Sequence, residues 1–216
     1  VTALVAYSDD EAKNAFLLMA TKNGVIKKTP FEDFENVRRS GIIALKLKVE
    51  DALRWATLSS GADEVILVTA AGQSIRFKEK DVRPMGRSAG GVGAVRLKKG
   101  DEVAGLDIIR KSEGGAKEKL LVVMARGYAK QTPLKEYKVQ RRGGGGIKTA
   151  NVTEKTGRVM AAQVVTGEEE EVLAFSSKGQ ALRTKLADVR VAGRATQGVR
   201  IMNLEAGSML IGLVCL

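Results

Sequence analysis

The chain has 216 residues, with 36 Lys and Arg against 25 Asp and Glu, no histidine and one cysteine, for a net charge of +11. The missing imidazole excludes a Ser-His-Asp triad and histidine metal sites, and the lone Cys215 excludes a disulfide framework or a cysteine-rich zinc site. At 44% hydrophobic the chain can bury a core, yet no apolar run is long enough to span a bilayer. The expectation is a soluble, cytoplasmic chain without a membrane partner, whose basic balance calls for a polyanion.

Taken in chain order, Val1–Ser8 alternates like the closing strand of a unit whose other strands are missing. That reading makes the chain a piece of a longer array. One pattern then occurs four times. Apolar runs open each unit at Phe16-Leu17-Leu18-Met19, Val65-Ile66-Leu67-Val68, Leu120-Leu121-Val122-Val123 and Val172-Leu173-Ala174-Phe175. Turn glycines follow at Gly24, Gly72, Gly127 and Gly179, spaced 48, 55 and 52 residues apart. A basic strand and a loop lead to a second landmark, a glycine before a β-branched residue, at Gly41, Gly91, Gly146 and Gly198. Those glycines are 50, 55 and 52 residues apart, so two independent landmarks drift together. A closing strand ends each unit, at 52–59, 102–109, 158–166 and 208–216.

The runs are short, alternating and bounded by Gly, Asn, Asp and Pro, which predicts strands. Lys22-Asn23-Gly24 and Ser177-Lys178-Gly179 read as hairpin turns, and Pro30, Pro84 and Pro133 as strand exits. Four strands per unit of roughly 50 residues predict an all-β, propeller-like ring. The blades fall at 9–60, 61–111, 112–167 and 168–216.

Charge follows the same period. Residues 22–48, 76–98, 124–148 and 178–200 carry net +4, +5, +6 and +5, so the rest of the chain is net negative. Connectors such as Glu168-Glu169-Glu170-Glu171 hold the acidic residues. In a ring of blades this pattern predicts a basic belt on one edge, suited to a long polyanion. Aromatics are only 4%, too few for a base-stacking surface, so duplex DNA fits better than a single strand. Tyr128 and Tyr137 lie near basic residues but lack clustered acids for metal-assisted strand cleavage, which leaves them packing roles. Trp55 and Cys215 are expected in blade cores.

The loop of the third unit reads Gln140-Arg141-Arg142-Gly143-Gly144-Gly145-Gly146. Paired guanidiniums offer forked donors to phosphate, and glycines let backbone N–H groups approach it. Arg38-Arg39-Ser40-Gly41, Gly86-Arg87-Ser88 and Gly193-Arg194-Ala195-Thr196-Gln197-Gly198 stand at matching positions.

These residues resemble the C-terminal domain of the DNA gyrase A protein. The heptapeptide is similar to that family's gyrase A box, Gln-Arg-Arg-Gly-Gly-basic-Gly, with Gly145 at the basic position. Gly193–Arg200 and Asp81–Arg87 resemble the loops of other blades, and the likeness covers the whole chain. The resemblance implies a β-pinwheel, a ring whose four visible blades exchange strands. By order these are the last four of six, with the first box outside this chain. It also implies duplex DNA bent around the rim to support negative supercoiling, with no catalytic centre in this chain. Its implied partners are the remainder of gyrase A and gyrase B, near the nucleoid. ATP and magnesium are used by the whole enzyme, and this chain holds no cofactor or metal.

The expected DNA contacts are Gln140, Arg141, Arg142, Gly143, Gly144 and Gly146, with Arg38, Arg39, Arg87, Arg194 and Arg200 at matching loop positions. Lys27, Lys28, Arg76, Lys78, Lys130, Arg183 and Lys185 form a second tier on the outer strands. The alternatives are the equivalent domain of topoisomerase IV or a gyrase paralogue, and a protein-binding propeller.

Overall fold

The computed structural model describes residues 1–35, 39–110 and 118–216. The first unit supplies β1 (Phe16–Thr21), β2 (Val25–Pro30) and β3 (Leu53–Ser59). The second supplies β4 (Glu64–Thr69), β5 (Gln73–Lys78), β6 (Val92–Gly93) and β7 (Val103–Ile109). The third supplies β8 (Lys119–Met124), β9 (Tyr128–Pro133), β10 (Ile147–Lys148) and β11 (Val159–Val165). The fourth supplies β12 (Glu171–Ser176), β13 (Ala181–Lys185), β14 (Val199–Arg200) and β15 (Leu210–Cys215).

In each unit the opening strand sits between the closing strand and the outer strand, antiparallel to both, as β4 does between β7 and β5. The short strand after the second landmark glycine leaves its own unit. It joins the outer strand of the preceding one: β6 pairs with β2, β10 with β5 and β14 with β9. Each full sheet is thus built from two consecutive units, the strand exchange of a pinwheel. The sheet of β13, β12 and β15 has three strands, and the outer edge of β13 is unpaired among the described residues. The matching segment of the first unit, Gly41–Leu47, forms no strand, and its Ile43 is 70% exposed.

The opening strands explain why their sequences are continuous apolar runs. Both faces of such a strand are covered, so strict alternation with polar residues is lost. Val65 and Leu67 of β4 point into one core with Leu18 and Ile26, whereas Ile66 and Val68 point into the next with Leu120 and Val122. Leu121 and Val123 of β8 face a further core with Val172 and Ala174. Adjacent sheets are therefore fastened face to face through shared hydrophobic cores. Trp55 packs against the first of these cores and Cys215 against the last, as expected from sequence.

The closing strands β3, β7, β11 and β15 pack against one another on the inner side of the ring. There the Val164 N–H donates to Asp107 Oδ2 at 2.7 Å, tying β11 to β7, and burial pushes the Asp107 carboxyl up. The outer and exchanged strands are left at the perimeter.

Val1–Ser8 departs from the expected closing strand and carries no ladder. A closing strand needs its own opening strand as partner, and β1 already pairs with β3. Ser8 instead caps a single helical turn, α1 (Asp9–Ala12). Glu11 Oε2 accepts from the Ser8 N–H at 2.9 Å, and Ser8 Oγ accepts from the Glu11 N–H at 3.4 Å. Ser8-Asp9-Asp10-Glu11 spells this capping box, a local signal that outweighs the alternation before it.

Candidate nucleic-acid interface

The basic segments divide into two layers. The inner layer departs from the expectation that Lys27, Lys28 and Lys130 belong to a second tier of DNA contacts on the outer strands. Lys27, Lys28 and Lys130 are buried, at 0, 3 and 0% exposure. Burying an ammonium demands acceptors, and backbone carbonyls supply them, Ala44 from the first unit itself and the others from the following unit. The third residue after the turn glycine is a lysine in β2 and β9. Lys27 Nζ donates to the Ala44 carbonyl at 2.7 Å and to the Arg87 carbonyl. Lys130 Nζ donates to the Gly193 carbonyl at 2.8 Å and to the Arg194 carbonyl.

The fourth residue after the turn glycine reaches the short 3-10 turn of the next unit. Lys28 Nζ lies 3.4 Å from the Glu79 carboxylate in a buried ion pair and donates to the Glu79 carbonyl. Arg76 Nη1 donates to the Leu134 carbonyl at 2.9 Å and the Tyr137 carbonyl at 3.2 Å, while its Nε meets Glu64 at 2.6 Å. Gln131 Nε2 makes the equivalent bonds to the carbonyls of Leu186 and Val189 at 2.7 and 2.8 Å. These side chains join blade to blade, so their charge is not presented at the surface.

Arg142 and Arg194, each four residues before the second landmark glycine, reach the other way. Arg142 donates from Nη1 to the Gly93 carbonyl at 2.9 Å and from Nε to the Asp81 carbonyl at 2.8 Å. Arg194 Nη1 donates to the Lys148 carbonyl at 2.9 Å, the residue equivalent to Gly93. Both are half-buried, as is Arg87 at the same register. A guanidinium has five N–H donors, so each retains capacity for an outer ligand.

The Gln140–Gly146 loop is clamped onto the preceding unit. The Gln140 N–H donates to the Arg76 carbonyl at 2.7 Å, Gly143 N–H to Ala94 at 2.6 Å, and Arg96 N–H to Gly144 at 2.8 Å. Gln140 Nε2 is buried without a partner among the described residues, so this amide is not turned toward an outside ligand. Gly146 holds the close backbone crossing to β5. Arg141 is exposed and, among the described residues, makes no hydrogen bond or ion pair.

The outer layer is exposed: Arg39, Lys78, Arg141, Arg183, Lys185 and Arg200. Arg183 pairs with Glu171 yet stays 66% exposed. Arg200 donates to the Tyr128 hydroxyl at 3.0 Å and lies over that ring. Arg38 lies outside the described residues. Tyr128 and Tyr137 are buried, and the Tyr137 hydroxyl bonds Thr149 Oγ1 at 2.8 Å. Neither ring offers a stacking face at the rim.

The sequence reading missed one row. Arg83, Lys138 and Arg190 are exposed and occupy one register in three successive units. Each precedes a residue bridged to the neighbouring outer strand, Pro84 to Lys28, Val139 to Arg76 and Val191 to Gln131. Lys80 and Lys135 form a second exposed pair three residues earlier. The signal was a basic residue eight positions before the second landmark glycine in the second, third and fourth units. Among the described residues, no cluster of His, Cys, Asp or Glu is arranged for a metal ion, and no helix is long and apolar enough to cross a membrane.

A family model described as DNA gyrase C-terminal domain, beta-propeller, matches residues 15–60, 63–110, 118–166 and 170–216. The DNA gyrase A protein of Staphylococcus aureus (strain MRSA252) is 39% identical over 204 residues, which is 94% of this chain and 23% of that protein. The chain thus spans under a quarter of the curated relatives it matches. The solved C-terminal domain of DNA topoisomerase IV superposes with a TM-score of 0.86 at 25% identity, over 94% of this chain and 62% of that one. A DNA gyrase A C-terminal domain superposes with a TM-score of 0.84 at 27% identity, over 98% and 69%.

Proposed function

Because the chain belongs to the DNA gyrase C-terminal β-propeller family, we propose that it is a non-catalytic module that bends duplex DNA around its outer basic layer. The observation carrying this reading is the exposed row of Arg83, Lys138 and Arg190, set at one register in consecutive blades and flanked by Lys80, Lys135 and Arg141. Charges repeated once per blade along a curved rim match a curved phosphate backbone. Neutralising phosphates releases condensed counterions, which gives affinity without base reading. Sequence preference would then come from how readily a duplex bends. Buried rim tyrosines remove the stacking platform that a single strand needs.

Within the whole enzyme, the wrapped segment would be handed to a cleavage core on the remainder of gyrase A. Gyrase B, ATP and magnesium would supply the energy and chemistry of strand passage, the result being negative supercoils. A second reading is a topoisomerase IV-like domain that binds DNA with little wrapping. Gly145 at the box's basic position and the superposition on that enzyme's domain favour it.

Lys138→Ala and Arg141→Ala test the rim. Each is expected to weaken duplex binding to a similar extent across unrelated sequences and to lower the salt slope by about 1. Fluorescence anisotropy on several duplexes reads this. A loss confined to one sequence would contradict backbone recognition.

A further inference from the structure

We propose that Lys27 and Lys130 are positioning residues, each turning one peptide of the following unit's loop so that its N–H faces outward as a phosphate donor. This rests on the rim reading above and deepens it. The two lysines occupy one register, the third residue after the turn glycine, and both are buried. Lys130 Nζ gathers the Gly193 and Arg194 carbonyls and lies 3.3 Å from Thr196 Oγ1. Lys27 Nζ takes the Arg87 carbonyl in the same way.

In a trans peptide the C=O and the next N–H point in opposite directions. An Arg194 carbonyl drawn inward therefore sends the Ala195 N–H outward, and an Arg87 carbonyl drawn inward does the same for Ser88. Among the described residues, neither N–H donates to a protein acceptor, and both residues are exposed. Each follows an arginine of the rim, Arg87 or Arg194, so a free N–H and a guanidinium are neighbours in sequence there. The Arg194 N–H itself is taken by Glu136 Oε2 at 3.2 Å, which leaves the Ala195 N–H as the open donor of that loop.

The second unit supplies a natural contrast. There the register position is Ile75, which packs against Gly144 of the following loop. With no ammonium to hold the Arg142 carbonyl, the equivalent N–H, that of Gly143, folds back onto the Ala94 carbonyl at 2.6 Å. The loop most similar to the family box thus lacks the outward N–H, and its contact with phosphate falls to Arg141.

Burial brings the Lys130 ammonium down to about 8, with Glu136 opposing that drop and Arg194 and Lys148 adding to it. Raising pH through that value discharges the group, and the grip on the carbonyls weakens with it.

The test follows backbone amides by NMR while a blunt DNA duplex is added to the full chain. In the parent chain, the Ser88 and Ala195 amide protons are expected to move downfield and that of Gly143 to stay. In Lys130→Met, Ala195 is expected to stay while Ser88 still moves, and affinity falls about tenfold, the worth of one charge-assisted bond. The parent's affinity should also drop more than the variant's between about pH 7 and about pH 9. Ile75 shows that this site accepts an apolar side chain. If Lys130→Met does not fold, Lys27→Met is judged by the same criteria on Ser88. Equal movement of Ala195 in parent and variant overturns the proposal. Duplex binding that leaves both amides unmoved overturns it and leaves the rim reading standing. No duplex binding at low salt overturns the rim reading as well.

Discussion

Replacing Gly146 by alanine is expected to lower the unfolding free energy by about 2–5 kcal/mol. Gly146 has φ +73°, in the region that costs an L side chain about 1–2 kcal/mol. A methyl group there would also press into the Ser74 backbone, 2.9 Å from its carbonyl carbon. Ser74 lies on β5, where β10 enters the sheet of the preceding unit, with Ile147 opposite Ser74. Relief would have to come from pushing β10 off that edge, which loosens the joint between two blades. Gly41 is the internal control. It has the same landmark role in sequence and φ +78°, but a methyl group there meets nothing within 4 Å. Gly41→Ala should cost only the backbone term, about 1–2 kcal/mol. Urea unfolding followed by far-UV circular dichroism compares the two. Equal losses would mean that the exchanged strand does not hold the blades together.

Duplex affinity is expected to fall by about 10³–10⁵ between about 50 and about 200 mM salt, the response of a protein neutralising about 6–10 phosphates. The count follows from the exposed layer, not from the total charge. Lys27, Lys28, Arg76 and Lys130 hold neighbouring units together and are not available to neutralise phosphates. Lys78, Lys80, Arg83, Lys135, Lys138, Arg141, Arg183, Lys185 and Arg190 are exposed along the outer segments and can neutralise phosphates, displacing the counterions condensed on the DNA. A slope demanding markedly more contacts would mean that the inner layer opens on binding. Binding that ignores salt would favour a protein partner over DNA.

The ring was legible in the sequence because its period is carried by residues with no substitute. Opening strands such as Val65–Val68 must be apolar on both faces, since two cores meet on them. Three of the second landmark glycines, Gly91, Gly146 and Gly198, mark crossings where a side chain would strike the neighbouring backbone. What did not show is the use made of each charge. A lysine on an alternating strand carries the same letter whether it faces water or the next blade's carbonyls. Lys130 is bonded to the next unit's carbonyls, whereas Lys185 is exposed on β13, the edge of a three-stranded sheet, and the acceptors that bury Lys130 are brought there by the next unit's loop, not by local pattern. The row of Arg83, Lys138 and Arg190 was hidden for the complementary reason. It sits between the predicted strands, where period-2 alternation says nothing about direction. The Gln140–Gly146 loop drew attention through its arginines and glycines, yet its Gly143 N–H and Arg142 Nη1 close onto Ala94 and Gly93. Half of its apparent phosphate chemistry is therefore structural.

Wrapping of DNA by these blades is tested most directly by linking number. Nicked plasmid is relaxed, ligated in the presence of increasing amounts of the chain, deproteinised and resolved on gels containing an intercalator. Wrapping predicts a steady, single-signed shift in linking number with protein, reduced when Arg83, Lys138 and Arg190 are replaced together by alanine. An unchanged linking number under conditions where the same plasmid is bound would contradict wrapping and leave a rim that only holds DNA.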